Sequence, residues 1–233
     1  TLVEHILASH SQVSNGAELN IIQHVAVLVG GVSGDALGRY LANGGSPDAM
    51  AALYLHLLGE RFGTEGRVVD KTIDASRFLG LIAAALPDAP LIWMRRDPLD
   101  NAWSCFRTFF IHGVAWSYDL ADIAHHFQRE DALLAFWKAR LGTRLLVVPY
   151  AELVESPEWW TRKLLAHCGL AEESGVHKPH LTERVVMTAS AIQVRKPINR
   201  DGLNVAAPYR SHLRAFMEAY GDQGETQPKH VQQ

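Results

Sequence analysis

The chain has 233 residues, 48% of them hydrophobic, and a formal net charge of −3. That is enough apolar chain for one α/β domain, and the slightly acidic balance argues against a general nucleic-acid binder, which carries a basic face. Two cysteines far apart in sequence, Cys105 and Cys168, offer neither a disulfide framework nor a metal spacing, a usage that favours a reducing, cytoplasmic compartment.

Leu2, Val3, Ile6 and Leu7 recur at helical spacing, so the first ten residues read as a short helix. Glu4, His5 and His10 interrupt any signal-peptide pattern, and no later apolar run reaches the roughly 18 residues of a membrane span. Ser14-Asn15-Gly16 reads as a turn. Glu18 to Leu28 favours helix. Gly30-Gly31 and Asn43 to Pro47 read as loops, and Ser46-Pro47 opens a helix over 48–62. Arg67 to Asp70 is a short strand, followed by a helix over 75–86. Leu91 to Met94 is an unbroken apolar run, the pattern of a strand buried on both faces. Asp97-Pro98 opens a helix running to about Phe109, and a long helix covers 119–140. Leu145 to Val148 is a second buried strand. Ser156-Pro157 starts a helix that ends near Cys168-Gly169. Residues 175–208 read as loop-rich, 210–220 as a last helix, and the polar residues 222–233 as a disordered tail. Strand and helix alternate, which predicts a parallel sheet covered by helices. Ligands of such sheets lie beyond the C-terminal strand ends.

Residues with chemical potential fall at those ends. Arg95 and Arg96 leave one strand, and Ser104 lies eight residues beyond Arg96 on the following helix. A strand-end arginine with a hydroxyl a little over two turns on could clamp a terminal phosphate. The competing reading is a surface arginine paired with Asp97 or Asp100. Lys71 after Asp70 could neutralise a phosphate or sulfate oxygen, or be a solvated charge. Glu18 could be a general base, or an acid at a helix start. Tyr150 could stack on a base, or pack in the core. The histidines, His125-His126 and His167 to His180 among them, match no standard zinc spacing, so no metal is expected.

Together these segments resemble the sulfotransferases that use 3′-phosphoadenylyl sulfate (PAPS), and within them the tyrosylprotein sulfotransferase-like and tetratricopeptide-linked bacterial branch. The resemblance runs from Thr1 to about Leu213. It is carried by Thr1 to His10, Asn15-Gly16-Ala17-Glu18-Leu19, Val69-Asp70-Lys71, Arg95-Arg96-Asp97-Pro98-Leu99-Asp100 with Ser104, Val148 to Leu153, and Thr188 to Ile198. It implies a P-loop-type three-layer α/β fold, a parallel sheet flanked by helices, over residues 1–221. It implies Glu18 and Lys71 as catalytic residues, and Thr1, Arg96, Ser104, Tyr150, Ser190 and Arg195 as donor-binding residues. The co-substrate is then PAPS, without a metal, and the partner an acceptor bearing a hydroxyl, protein tyrosine among the candidates. A kinase-like phosphotransferase and a non-catalytic protein-binding module of the same fold are the rival readings.

Two departures from the family pattern are expected to matter. Its phosphate loop, a Pro-Arg-Ser-Gly-Thr-type segment, belongs immediately before Thr1, which stands where the loop's last residue would. On that expectation these 233 residues alone hold an incomplete donor site and are inactive. Val205 and Ala206 stand where the family has a basic residue and a tryptophan, a gap that Arg200 or Arg210 could fill.

Overall fold

A computed structural model describes residues 1–110, 113–181 and 196–221. In chain order the elements are α1 (Leu2–Ala8), β1 (Val13–Ala17), α2 (Ile21–Val29), α3 (Gly34–Ala42), α4 (Pro47–Phe62), β2 (Arg67–Asp70), α5 (Leu79–Ala85), β3 (Leu91–Arg95), α6 (Pro98–Phe106), α7 (Leu120–Leu141), β4 (Leu145–Pro149), α8 (Tyr150–Glu155), α9 (Pro157–His167) and α10 (Arg214–Tyr220). The architecture is α/β, with short parallel pairing flanked by helices. Strand β1 pairs in parallel with β2, and β3 pairs with β4. The long crossover that a parallel pair requires holds α2, α3 and α4 between the first two strands. The described residues fall into two compact units, those within Thr1–Leu91 and Ser156–Ile198, and those within Ile92–Glu155 and Asn199–Gln233.

In the first unit the core gathers α2, α4 and α5. Ile22, Val25, Met50 and Leu81 are nearly or fully buried, with Leu19, Ile21, Tyr54 and Ala85 around them. The start of α4 follows from chemistry local in sequence. Pro47 sits at its first turn, and the Ser46 hydroxyl accepts from Ala49 N at 3.1 Å. Helix α3, between the two glycine-bearing loops, has the same device, with Ser33 Oγ accepting from Ala36 N at 3.1 Å. Helices α2 and α3 together form a long, mainly apolar stretch, but they meet at a bend of 61°, and among the described residues no single helix is long and apolar enough to cross a membrane.

The structure corrects the turn expected at Ser14-Asn15-Gly16, which is strand β1. The register pairs Val13 with Arg67, Ser14 with Val68 and Asn15 with Val69, then slips so that Ala17 pairs with Asp70. The turn-forming residues act only at the strand's end. Asn15 Oδ1 accepts from Ala17 N at 2.9 Å, and Ala17 takes a left-handed φ of 52°. Gly16 is set by proximity. A Cβ there would lie 2.5 Å from the Val69 carbonyl oxygen and 2.9 Å from Leu19 Cδ1 and Val68 Cγ1. The glycine that reads as a turn residue is what lets the two backbones pack.

In the second unit α7 packs against α6 and α10. Ala102, Ile123 and Ala124 are fully buried, with Phe127 and Phe216 beside them and Trp116, Met217 and Tyr220 packed around them. The Asp119 carboxylate caps α7, accepting from Ala121 N at 2.8 Å and Asp122 N at 3.0 Å. Strand β3 departs from the two-faced burial read from its apolar run. Ile92 and Trp93 are half-buried, and Met94 is exposed at the edge of a cleft.

Candidate active site

The parallel pairing of β1 and β2 sends both strands out at the same edge, and the residues that follow them meet. Lys71 N donates to Ala17 O at 2.8 Å, which continues the pairing one step beyond β2. Lys71 Nζ then donates to Glu18 Oε1 at 2.7 Å. Two residues 53 apart in sequence are thus joined by a strand register. The side chains stay accessible, Lys71 at 28% and Glu18 at 37% of full exposure. An ion pair this exposed contributes at most about 1 kcal/mol, so an incoming anion can exchange with it at small cost.

The backbone around the pair is held by polar contacts on its buried side. Asp70 Oδ1 accepts from Thr72 N at 3.0 Å and Thr72 Oγ1 at 2.7 Å, and Asp70 Oδ2 accepts from Tyr54 OH at 2.8 Å. Thr72 Oγ1 accepts in turn from Asn20 N at 3.1 Å, tying the Lys71 segment to the residue that opens α2. Burial, and then the Asp70 carboxylate, push the Tyr54 hydroxyl pKa well above its ordinary value, so it remains a donor. The backbone nitrogen of Thr1 lies close enough to Lys71 and Glu18 to share their electrostatic neighbourhood.

The second unit carries the other constellation. Strand β3 ends at Arg95, and Arg96 follows it with different partners. Arg95 pairs with Asp131 through a short hydrogen bond and reaches Tyr220 OH at 3.4 Å. Burial opposes its charge, but the contacts with Asp131 and Tyr220 outweigh this and hold its pKa above the ordinary value. Arg96 turns the other way. Its Nη1 donates to Ser104 Oγ at 3.0 Å and its Nη2 to Gly202 O at 2.6 Å, and its guanidinium carbon lies 5.2 Å from the centre of the Tyr150 ring. Among the described residues its Nε is buried without a hydrogen-bond partner. A hydroxyl, a carbonyl and an aromatic face are all neutral, so among the described residues no ion pair neutralises this partly buried cation. Burial raises the Tyr150 hydroxyl pKa, with Arg96 acting against the rise.

Helix α6 sets this geometry. Asp97 caps it by accepting from Asp100 N at 2.9 Å, and Pro98 fixes its first turn. The pairing of Arg96 with Asp97 or Asp100, the competing sequence reading, is not what the structure places there. Gly202 lies against Tyr150 so closely that a Cβ would run into the ring, 3.0 Å from Cζ.

The structure thus brings Glu18 and Lys71 together, with Thr1 near them, and separately gathers Arg96, Ser104 and Tyr150. Ser190 and Arg195 lie outside the described residues. Sequence reasoning missed Tyr54, Asp70 and Thr72 as supports of Lys71, and Gly202 as part of the arginine site. Asp201-Gly202 shows only as a turn dipeptide, and Asp100 reads as part of the arginine motif or as a partner of the arginine, not as an acceptor for distant backbone amides. Among the described residues no three His, Cys, Asp or Glu side chains gather closely enough to hold a metal ion.

Residues 1–174 match the Sulfotransferase family. The chain is also 30% identical, over 234 aligned positions, to an uncharacterised protein of Aquifex aeolicus (strain VF5). That alignment covers 94% of this chain and 30% of the Aquifex protein, so the chain spans under a third of that relative's length. The family match takes in β1 to β4, with Glu18, Lys71, Arg96, Ser104 and Tyr150 all inside it, and the chain belongs to the sulfotransferase family.

Proposed function

We propose that this protein moves the sulfuryl group of PAPS onto an acceptor hydroxyl, with Glu18 and Lys71 as the catalytic pair. The observation that carries the reading is the 2.7 Å contact between these side chains at the common end of two parallel strands, where α/β folds bind ligands. The acceptor oxygen attacks sulfur, and the bond from sulfur to the bridging phosphate oxygen breaks. The acceptor proton passes to the Glu18 carboxylate. Lys71 stabilises the charge that develops on the leaving oxygen, and adenosine 3′,5′-bisphosphate (PAP) departs with the bonding electron pair. In the resting chain Glu18 and Lys71 neutralise each other. An anionic donor draws Lys71 to itself and frees the carboxylate to act as base, so base and electrophile are readied by the same event. As in phosphoryl transfer, positioning and charge stabilisation supply most of the catalysis.

Arg96 fits the 3′-phosphate of this donor. A partly buried guanidinium whose partners among the described residues are all neutral, with Ser104 Oγ at 3.0 Å, has donors to give an anion. Tyr150 would flank the adenine, Thr1 the 5′-end, and Ser190 and Arg195 would complete the nucleotide site. PAPS supplies the activated sulfuryl group, and the chain's own residues hold it and move the proton. Protein tyrosine is the first acceptor to test. The experiment is a transfer assay on the full natural protein, with PAPS and a panel of phenolic, peptide and sugar acceptors, alongside calorimetry with PAP and with ADP plus Mg²⁺. Transfer lost in Lys71→Ala, with PAP preferred to ADP, is the expected result. Absence of transfer to every acceptor, with tighter Mg²⁺-dependent ADP binding, would refute the proposal in favour of a phosphotransferase.

A further inference from the structure

Asp100 is the least exposed carboxylate near the arginine site, at 5% of full exposure. It stands three residues after the Asp97 cap of α6, the position from which an acidic side chain normally reaches back to its own helix start. Its carboxylate is used elsewhere. Oδ2 accepts from Asn204 N at 2.7 Å and Oδ1 from Ala206 N at 3.0 Å, 104 and 106 residues further along the chain. Between these two amides and Arg96 lies a short, constrained loop. Asn204 holds a left-handed φ of 55°, which a non-glycine residue adopts at a cost. Leu203 N closes a turn on Arg200 O at 2.9 Å, and Gly202 presents its carbonyl to Arg96 Nη2 at 2.6 Å. Downstream, Tyr209 stacks on Trp103 of α6 with ring centroids 4.0 Å apart. One face of α6 therefore carries Asp100 and, one turn on, Ser104. The first is bound to the loop and the second to Arg96.

We infer that Asp100 is a positioning residue for the phosphate clamp: through two backbone amides it fixes the loop over residues 200–206, and with it the orientation of Arg96. A buried carboxylate is costly unless its oxygens are satisfied. Here both oxygens are satisfied by one loop, so loop and helix are locked as a unit. Arg96 has five donor hydrogens and a long flexible stem. Its Gly202 contact selects one rotamer, and that contact exists only while the loop is held. This inference rests on the proposed binding of a 3′-phosphate at Arg96. Asp100 itself touches no ligand.

The test uses Asp100→Asn in the full natural protein. Asparagine keeps the shape, removes the charge and turns its carboxamide NH₂, a donor, toward one of the two backbone N–H groups. Calorimetry is run with PAP and with adenosine 5′-monophosphate, which lacks the 3′-phosphate, and thermal unfolding checks the fold. Each charge-assisted hydrogen bond lost leaves the loop looser by an amount typical of about a tenfold change or more. The expected result is a PAP-to-AMP preference reduced by about tenfold, with AMP binding within about twofold of the parent. An equal loss for both nucleotides, or an unchanged preference in a folded variant, overturns the inference while leaving the donor assignment standing. A parent protein with no preference for PAP over AMP overturns both. Should the variant fail to fold, hydrogen exchange on the parent protein decides. The amides of Asn204 and Ala206 must be protected without nucleotide, and exchange at the rate of an open loop overturns the inference.

Discussion

Gly16→Ala probes the packing that brings Glu18 and Lys71, the proposed catalytic pair, together. The added Cβ would sit 2.5 Å from the Val69 carbonyl oxygen, with two further contacts at 2.9 Å. Ordinary van der Waals contact begins near 3.4 Å, so β1 must withdraw from β2 by close to 1 Å. The obstructing atom is backbone, which cannot turn aside as a side chain would. Overpacking of this kind costs about 1–3 kcal/mol of stability. The shift also opens the Lys71 N to Ala17 O bond, now 2.8 Å, and carries Glu18 away from Lys71. A displacement of about 1 Å at reacting groups costs on the order of 10²-fold in rate. Chemical denaturation measures the first effect, and sulfuryl transfer at saturating donor the second. A Gly16→Ala variant with parental stability and parental turnover would refute the claim that Gly16 is required by the close approach of the two strands.

Three further outcomes are expected. Arg96→Ala weakens PAP far more than AMP, by about 10- to 150-fold for one charge-assisted interaction, and calorimetry showing equal losses would move the 3′-phosphate elsewhere. Glu18→Gln keeps PAP affinity and lowers turnover by about 10²–10⁴-fold, whereas unchanged turnover would return Glu18 to a structural role at the start of α2. Burial pushes the Cys105 thiol up to about 11, with Arg96 acting against the rise, and also raises Cys168. Both should therefore react slowly with a thiol reagent near pH 8 in the native chain and fast once it is unfolded. A thiol whose folded pKa is raised contributes stability that is present below its ordinary pKa, near 9, and is lost as pH climbs toward 11. Stability measured across that window should fall, and fall less in Cys105→Ala.

The legible parts of this molecule are those whose cause is local. Ser46-Pro47, Asp97-Pro98 and Asp119 start helices because a cap and its amide lie two or three residues apart, and the pattern of those residues is visible along the chain. The Arg96 to Ser104 step was legible for the same reason, since a helix of known rise spans it. Glu18 and Lys71 were identified from the segments around them, but their contact was not, because nothing in either segment states which strand lies beside which.

Sequence alone determined the α/β alternation, the family resemblance, and the residue types able to hold an anion and move a proton. The tertiary structure decided what those residues face. It turned Asn15-Gly16 from a turn into the close end of a strand, because the Val69 carbonyl and the Val68 side chain occupy the space a side chain would need. It separated Arg95, the last residue of β3, from Arg96 just beyond it, bringing Asp131 to the first and Ser104 to the second. It also directed Asp100 away from its own helix toward Asn204 and Ala206. A pairing across a hundred residues is set by which surfaces pack together, and that is a property of the folded chain rather than of any segment in it.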